Sequence, residues 1–472
     1  MPDRPPSGTS SSSGTSSSPG SRYEPDVLVI GGGVAGLWCA YFLRLAGHTV
    51  TVLDRNTVGD PVSCSSGNTG FVANGGVPLA GPGALRNGLV SVLRPDDRLA
   101  LPPTLDRRRL HWVWQLYRAG SSDQVQRSAG LMMEFKRRSL EILHQLRVSD
   151  QPHPDFIATG VVQAYKTEEA FARARRALPR AVANGIRLRV LEPDELRALE
   201  PDTEFDIAGA LYNEGGGFLR VPSFVVSLAR TLTEMGVDLV EDCTVEGFEV
   251  SGRTAVGVRT NLGDFRPREI VVAAGSWSAM LARLLDLDLQ LQPVRGYTIT
   301  VRRPDNAPRG LVLLVEGTVA VRPFQDQLRY GGDMVLAGMD SSISQRRVAR
   351  VLRTVHAHLP ALEPTEMLQV WAGLRPCTPD SLPFLGRAPS FDNVTVAAGH
   401  GHNGMGLTPV GGQLVAQLLD GSTPAMDLAP FRLDRYSAPP AWLRPRTARL
   451  SANRARQRSA QQAGSPAAGG AR

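Results

Sequence analysis

Cysteine is scarce in this chain, with four residues in 472, at Cys39, Cys64, Cys243 and Cys377. They form no CxxC pair and no cluster with histidine. That argues against a disulfide framework or a metal site and fits a reducing cytoplasm. Long apolar runs are also missing. The longest, Val27–Leu43, is interrupted by Gly31, Gly32, Gly33 and Gly36 and is short of the roughly 20 residues of a membrane span. No internal repeat is present, and the amino end lacks the apolar core of a secretory signal. Residues 1–22 are mostly Ser, Gly, Pro and Thr, and residues 437–472 hold seven arginines and no acid. Neither stretch can bury enough apolar surface to offset its ordering entropy, so both are expected as disordered tails. The net charge of +7 thus belongs to the basic tail and leaves the body nearly neutral. Nucleic acid is not expected as a partner. The tail reads first as a solvated end, and otherwise as a peripheral contact with acidic lipid at the inner face of the plasma membrane.

What remains is ordinary globular composition, 42% hydrophobic and 21% charged, in a chain long enough for two domains. From Asp26 it reads DVLVIGGGVAGLWCAYFLRLAGHTVTVLDR. Val27–Ile30 is a short buried strand, Val34–Leu45 a helix, and Thr49–Leu53 a second strand ending at Asp54. Between the first two lie Gly31, Gly33 and Gly36 in GxGxxG spacing. Gly31 allows the tight turn, Gly33 lets the backbone approach a pyrophosphate, and Gly36 lets helix and strand pack closely. At Val34 and Ala35 the helix start offers free N–H groups and the positive end of its dipole to phosphate. Asp54 can accept from a ribose hydroxyl. The unit predicts a dinucleotide site without separating NAD from FAD.

Other glycine-dense segments follow far along the chain. Cys64–Gly70 reads CSSGNTG, Ala372–Arg387 reads AGLRPCTPDSLPFLGR, and Ala397–Gly412 reads AAGHGHNGMGLTPVGG. Such segments make sense if several regions return to one extended cofactor. Leu239–Val245 and Ile270–Gly275 are expected as strands that extend the first sheet. Trp112 and Trp114 are read as packing residues of a helix, and His356 and His358 as surface residues of another.

With these segments, the chain resembles the D-amino acid oxidase (DAO) superfamily of flavoproteins, most closely the branch of the bacterial D-amino acid dehydrogenase small subunits. The matching pieces run from Asp26 to about Tyr436. They are the glycine motif with Asp54 and Arg55, the Ser65–Gly70 loop, HWVWQLYR (His111–Arg118), PVRGYTIT (Pro293–Thr300), VAVRPF (Val319–Phe324), GLRPCTPD (Gly373–Asp380) and GHGHNG (Gly399–Gly404).

The resemblance implies an α/β fold (α+β overall). A Rossmann-like, glutathione-reductase-type FAD domain would comprise residues 23–105, 201–282 and 370–436. A substrate domain with a largely antiparallel sheet would comprise 106–200 and 283–369. It also implies roles for residues. Gly31, Gly33, Val34, Ala35, Gly36, Asp54 and Arg55 would hold the ADP half of FAD, with Val245 near the adenine. Ser65, Ser66, Asn68 and Gly275 would run past the flavin, and Gly401, His402, Asn403 and Gly404 would line its ring. Arg375 matches an arginine that grips the substrate carboxylate in glycine oxidase, a task suited to a planar guanidinium fork. Tyr297 either reaches the substrate through its hydroxyl or is a half-buried strand aromatic.

The chain departs from glycine oxidase at Ala320, where that enzyme has a tyrosine, and at His402, where it has an arginine. A larger, more apolar side-chain pocket is therefore expected. Gly373 stands where sarcosine oxidases carry the flavin-linked cysteine, so FAD is expected to be non-covalent. The expected reaction is oxidative deamination of a small amino acid, D in configuration. Hydride passes from Cα to flavin N5, the imine hydrolyses to a 2-oxo acid and ammonia, and the electrons go on to a quinone or another non-oxygen acceptor. Two alternatives stand beside it: an oxidase that reduces O2 to peroxide, and a flavoprotein subunit of a multi-subunit opine or proline-type dehydrogenase that acts through assembly with a partner.

Overall fold

The computed structural model describes residues 24–73, 99–100, 107–148, 156–221, 223–336 and 338–436. The two expected tails lie outside these residues. The four residues Val27–Ile30 are all buried and alternate between two cores. Val27 and Val29 face one, Leu28 and Ile30 the other. A strand buried on both faces belongs inside a sheet covered on both sides, and here the sheet has six strands. In order they are Asp238–Val240, Val50–Leu53, Val27–Ile30, Glu269–Val272, Val394–Ala398 and Phe384–Arg387. The first five run parallel and the last is antiparallel. The helices Val34–Leu45, Ser223–Glu234 and Gly404–Leu419 contribute to the first core. Phe248, Val258 and Phe265 of a three-stranded antiparallel sheet enter the second.

A second, largely antiparallel sheet of nine strands carries the other half of the molecule. Its long members are Gln292–Arg302, Gln327–Val335 and Met367–Cys377. On its outer face the helix Gln345–His358 buries Val348, Val351 and Val355 against Tyr297, Ile299 and Val321. A third small sheet pairs Phe71–Val72 with Gly217–Leu219 and Phe156–Ile157.

Several boundaries differ from the sequence expectation. Leu239–Val245 is not one strand. Asp242 adopts a left-handed φ of 51° and turns the chain, so Asp238–Val240 stays in the parallel sheet while Val245–Ser251 joins the three-stranded one. The next strand stops at Val272, and Gly275, at φ 53°, opens a short 3-10 turn. Gly209–Asn213 and most of Met367–Cys377 fall within the segments assigned to the cofactor domain and hydrogen-bond within the nine-stranded sheet. Trp112 is fully buried on a helix. His358 is not a surface residue. It is 4% exposed, and its Nδ1 lies 2.8 Å from the Thr354 carbonyl. His356 is exposed.

Candidate cofactor and substrate site

Between the two large sheets lies a cavity of about 1540 Å³, beyond the roughly 300–1,000 Å³ of an ordinary small-molecule site. One end is built by the glycine turn. Gly31 has φ 117°, and a Cβ there would sit 2.6 Å from the Ala273 carbonyl oxygen. At Gly36 a Cβ would sit 1.8 Å from the Gly31 carbonyl oxygen, so helix and turn touch only because that residue is glycine. Gly31, Gly33, Val34 and Ala35 line the cavity, whereas Gly36 packs behind them. Asp54 is held from two sides, accepting from Gly32 N–H at 2.7 Å and from Asn56 N–H at 2.9 Å. Burial pushes its carboxyl above the usual range, and those two N–H groups oppose the shift. Arg55 lies 3.9 Å over the Trp277 ring, and Thr244 and Val245 complete that end.

The middle is formed by Ser65, Asn68 and Gly275. Ser65 Oγ accepts from Val34 N–H at 3.0 Å and ties this loop to the helix start. Ser66 does not face the cavity and instead donates to the Gly59 carbonyl at 3.0 Å. Trp371 lies across two glycines. A Cβ on Gly67 or Gly373 would come within 2.1 or 1.8 Å of its ring, and its indole N–H donates to the Val62 carbonyl.

At the far end Gly401, His402, Asn403 and Gly404 open the helix Gly404–Leu419, whose uncapped start faces the cavity. Lys136 Nζ donates to Asn403 Oδ1 at 2.7 Å, and the Asn403 amide nitrogen lies 3.2 Å from His402 Nε2. Burial pushes the Lys136 ammonium down to about 8. His402 is solvent-exposed and presents its ring to the cavity. The dense protein packing behind the ring, then the charges of Lys136 and Arg375, push its pKa below the imidazole range. Opposite stands Arg375, which donates from Nη1 to the Asp333 carbonyl at 2.7 Å and whose pKa burial lowers. Its guanidinium covers Gly296, where a Cβ would sit 2.0 Å from Nη1. The segment Leu374–Cys377 that carries it is fixed by Ser276 Oγ to the Leu374 carbonyl and by Trp112 Nε1 to the Cys377 carbonyl. This end of the cavity is thus electropositive, with two cations and an uncapped helix start.

Tyr297 does not reach the site. It sits in the core beneath the helix Gln345–His358, fully buried, while its strand neighbours Gly296 and Thr298 face the other way. Cys377 is buried, with its thiol pushed up to about 12, and does not line the cavity. The aspartate of GLRPCTPD, Asp380, is structural. It pairs with the Arg435 guanidinium at 2.8 and 3.0 Å. Lys136, Trp371, Trp277 and Asp333 line the cavity without having been singled out from the sequence. The glycines Gly67 and Gly373 were the available signal for Trp371; Lys136 lies in a 27-residue helix with nothing to mark it.

Among the described residues no helix is long and apolar enough to cross a membrane. The family described as FAD dependent oxidoreductase, DAO, matches residues 26–418. A protein of Neisseria gonorrhoeae named D-amino acid dehydrogenase is 28% identical over 416 residues, covering 87% of this chain and 99% of that one. Glycine oxidase from Geobacillus kaustophilus superposes with a TM-score of 0.69 at 25% identity, over 88% of this chain and 100% of that one. L-amino acid deaminase from Proteus vulgaris shares the fold, with a TM-score of 0.63 at 21% identity, over 88% and 94%.

Proposed function

The chain belongs to the DAO family of FAD-dependent oxidoreductases, and on that premise we propose that it deaminates a small D-amino acid oxidatively and passes the electrons to a quinone or another non-oxygen acceptor. The observation that carries this reading is Arg375, a half-buried guanidinium at the electropositive end of a cavity whose volume suits an extended dinucleotide. The residues present fit FAD. Gly31, Gly33, Val34 and Ala35 would cradle the pyrophosphate at a helix start, and Asp54, already oriented by two N–H groups, keeps lone pairs for ribose hydroxyls. Arg55, Trp277 and Val245 would enclose the adenine. Ser65, Asn68, Gly275 and Gly401–Gly404 would border the flavin, where the N–H groups of an uncapped helix start favour negative charge.

FAD, when bound, supplies the acceptor for the hydride that leaves the substrate Cα. The protein supplies orientation. Arg375 holds the carboxylate in a two-bond fork and so fixes which Cα–H is presented. The amine binds neutral and releases its lone pair toward Cα as the hydride departs, so no strong base is needed. Ala320, Ala73, Leu313 and Phe71 leave apolar room for the side chain.

Anaerobic mixing with a panel of D- and L-amino acids should bleach the flavin with the D series, and readmitted air should restore the colour only slowly. Arg375→Lys keeps the charge without the fork. It should lower kcat/KM by about 100-fold, the loss of roughly 3 kcal/mol, at normal flavin content. Rapid reoxidation with stoichiometric peroxide would make the enzyme an oxidase. Activity only after a partner is added would support the assembly reading. Absence of bleaching by any amino acid would end the proposal.

A further inference from the structure

We propose that Asp333 is the positioning residue of the carboxylate site, aiming Arg375 through its own main-chain carbonyl while two arginines on the opposite side of the sheet hold its side chain. This rests on the reading of Arg375 as the partner of the substrate carboxylate.

Four observations converge on one residue. The strands Gln292–Arg302 and Gln327–Val335 pair regularly except at one place, where Gly296 alone faces both Asp333 and Met334. That is a β-bulge, and bulges re-aim backbone groups beside functional sites. At the bulge Asp333 takes φ 67°, a left-handed conformation that aspartate tolerates better than most residues. The bulged backbone presents the Asp333 carbonyl to Arg375 Nη1 at 2.7 Å. Gly296, across the bulge, leaves room for the guanidinium.

The side chain is anchored elsewhere. The Asp333 carboxylate is fully buried and accepts from Arg347 Nη1 at 3.3 and 3.4 Å and from Arg350 Nη1 at 3.3 Å, both on the helix Gln345–His358. It also accepts from Met334 N–H at 2.9 Å, across the bulge itself. One residue therefore connects a helix on the outer face to the guanidinium on the cavity face. Without the anchor only the strand pairing on either side of the bulge holds the carbonyl, and the Arg375 fork loses its fixed direction.

The test uses the FAD-loaded full chain. Benzoate, and anthranilate as a probe that adds an amine, are titrated by the change in flavin absorbance. Asp333→Asn keeps the shape and the tolerance of left-handed φ but removes the charge. Asp333→Gly frees the bulge entirely. Both should raise the Kd for the two probes by at least about 10-fold, the loss of one charge-assisted contact, and KM should rise more than kcat falls. Flavin content should stay normal. Arg350→Gln, which leaves Arg347 in place, should give a smaller rise and serves if the Asp333 variants do not fold. Wild-type affinity in all three variants overturns the inference. If Arg375→Lys weakens probe binding while the Asp333 and Arg350 variants do not, Arg375 is the carboxylate partner and Asp333 does not aim it. If Arg375→Lys also binds both probes normally, or the wild type binds neither, the reading of Arg375 itself fails.

Discussion

Substituting Gly296 with alanine should impair the enzyme without replacing any residue that contacts substrate. Gly296 lies in the strand Gln292–Arg302 and is not among the positive-φ glycines, so alanine can adopt its backbone. Its methyl carbon, however, would lie 2.0 Å from Nη1, 2.2 Å from Cζ and 2.3 Å from Nη2 of Arg375. Carbon in ordinary contact needs about 3.5–4.0 Å. The guanidinium would have to retreat by well over an ångström, and its bond to the Asp333 carbonyl would break. Hydrogen bonds to a charged group contribute about 1.5–3 kcal/mol, so kcat/KM should fall by roughly 10- to 150-fold. The fold should be spared, because the colliding atoms end a flexible side chain and alanine suits a strand better than glycine by about 0.5–1 kcal/mol. Steady-state kinetics, flavin content and a thermal melt on the same preparation check all three expectations. Full activity with an unshifted melting temperature would refute the reasoning, since it would mean that Arg375 does not lie over Gly296 in the working enzyme.

Two further outcomes are expected. Asp54→Asn keeps the side chain's shape but loses its charge and one of the acceptors for Gly32 and Asn56. FAD affinity should fall by about 10- to 150-fold, for 1.5–3 kcal/mol, in a fluorescence titration of apoprotein, and unchanged affinity would remove Asp54 from the ribose. His400 is buried and its pKa is pushed down to about 4, whereas an unfolded histidine titrates near about 6.5. The unfolded chain therefore takes up the proton first. Stability is full above about pH 6.5 and is lost as pH falls toward 4, by at most on the order of 3 kcal/mol from this residue. Denaturant melts of wild type and His400→Gln across that range should converge at low pH, and parallel curves would show that His400 does not stay neutral.

What could be read from the sequence was what local rules encode. The GxGxxG turn is legible because Gly31 and Gly36 sit where a Cβ would strike backbone within one short unit. Asp54 follows from its place at the end of the second strand. The other end was readable only as composition. GHGHNG announces a close backbone approach, but not that Lys136, 267 residues earlier than Asn403, donates to its side chain. That lysine was invisible because its burial comes from the packing of two helices distant in the chain, not from its own neighbourhood. The sheet to which a strand belongs was hidden for a similar reason. Met367–Cys377 carries a site residue, yet its hydrogen bonds belong to the nine-stranded sheet, and pairing partners are not written in a strand's own sequence.

Tyr297 shows where a local rule would have corrected a global impression. In PVRGYTIT an aromatic hydroxyl beside a glycine invites a catalytic reading. Side chains of a strand alternate, however, and a shift of one residue exchanges the faces. Thr298 lines the cavity and its Oγ1 donates to the Gly67 carbonyl at 2.9 Å, and Gly296, on the same face, lies under the Arg375 guanidinium. Tyr297 must then point to the outer helix, where Arg295 joins it with its guanidinium 5.7 Å from the ring. The glycine was the functional member of the pair, present because the arginine from the neighbouring strand needs its missing side chain. Asp333 extends the same logic. A bulge breaks the alternation at one residue, so that its side chain can serve one face and its carbonyl the other. No periodicity within either strand foretells that break, because it exists only in the register between them.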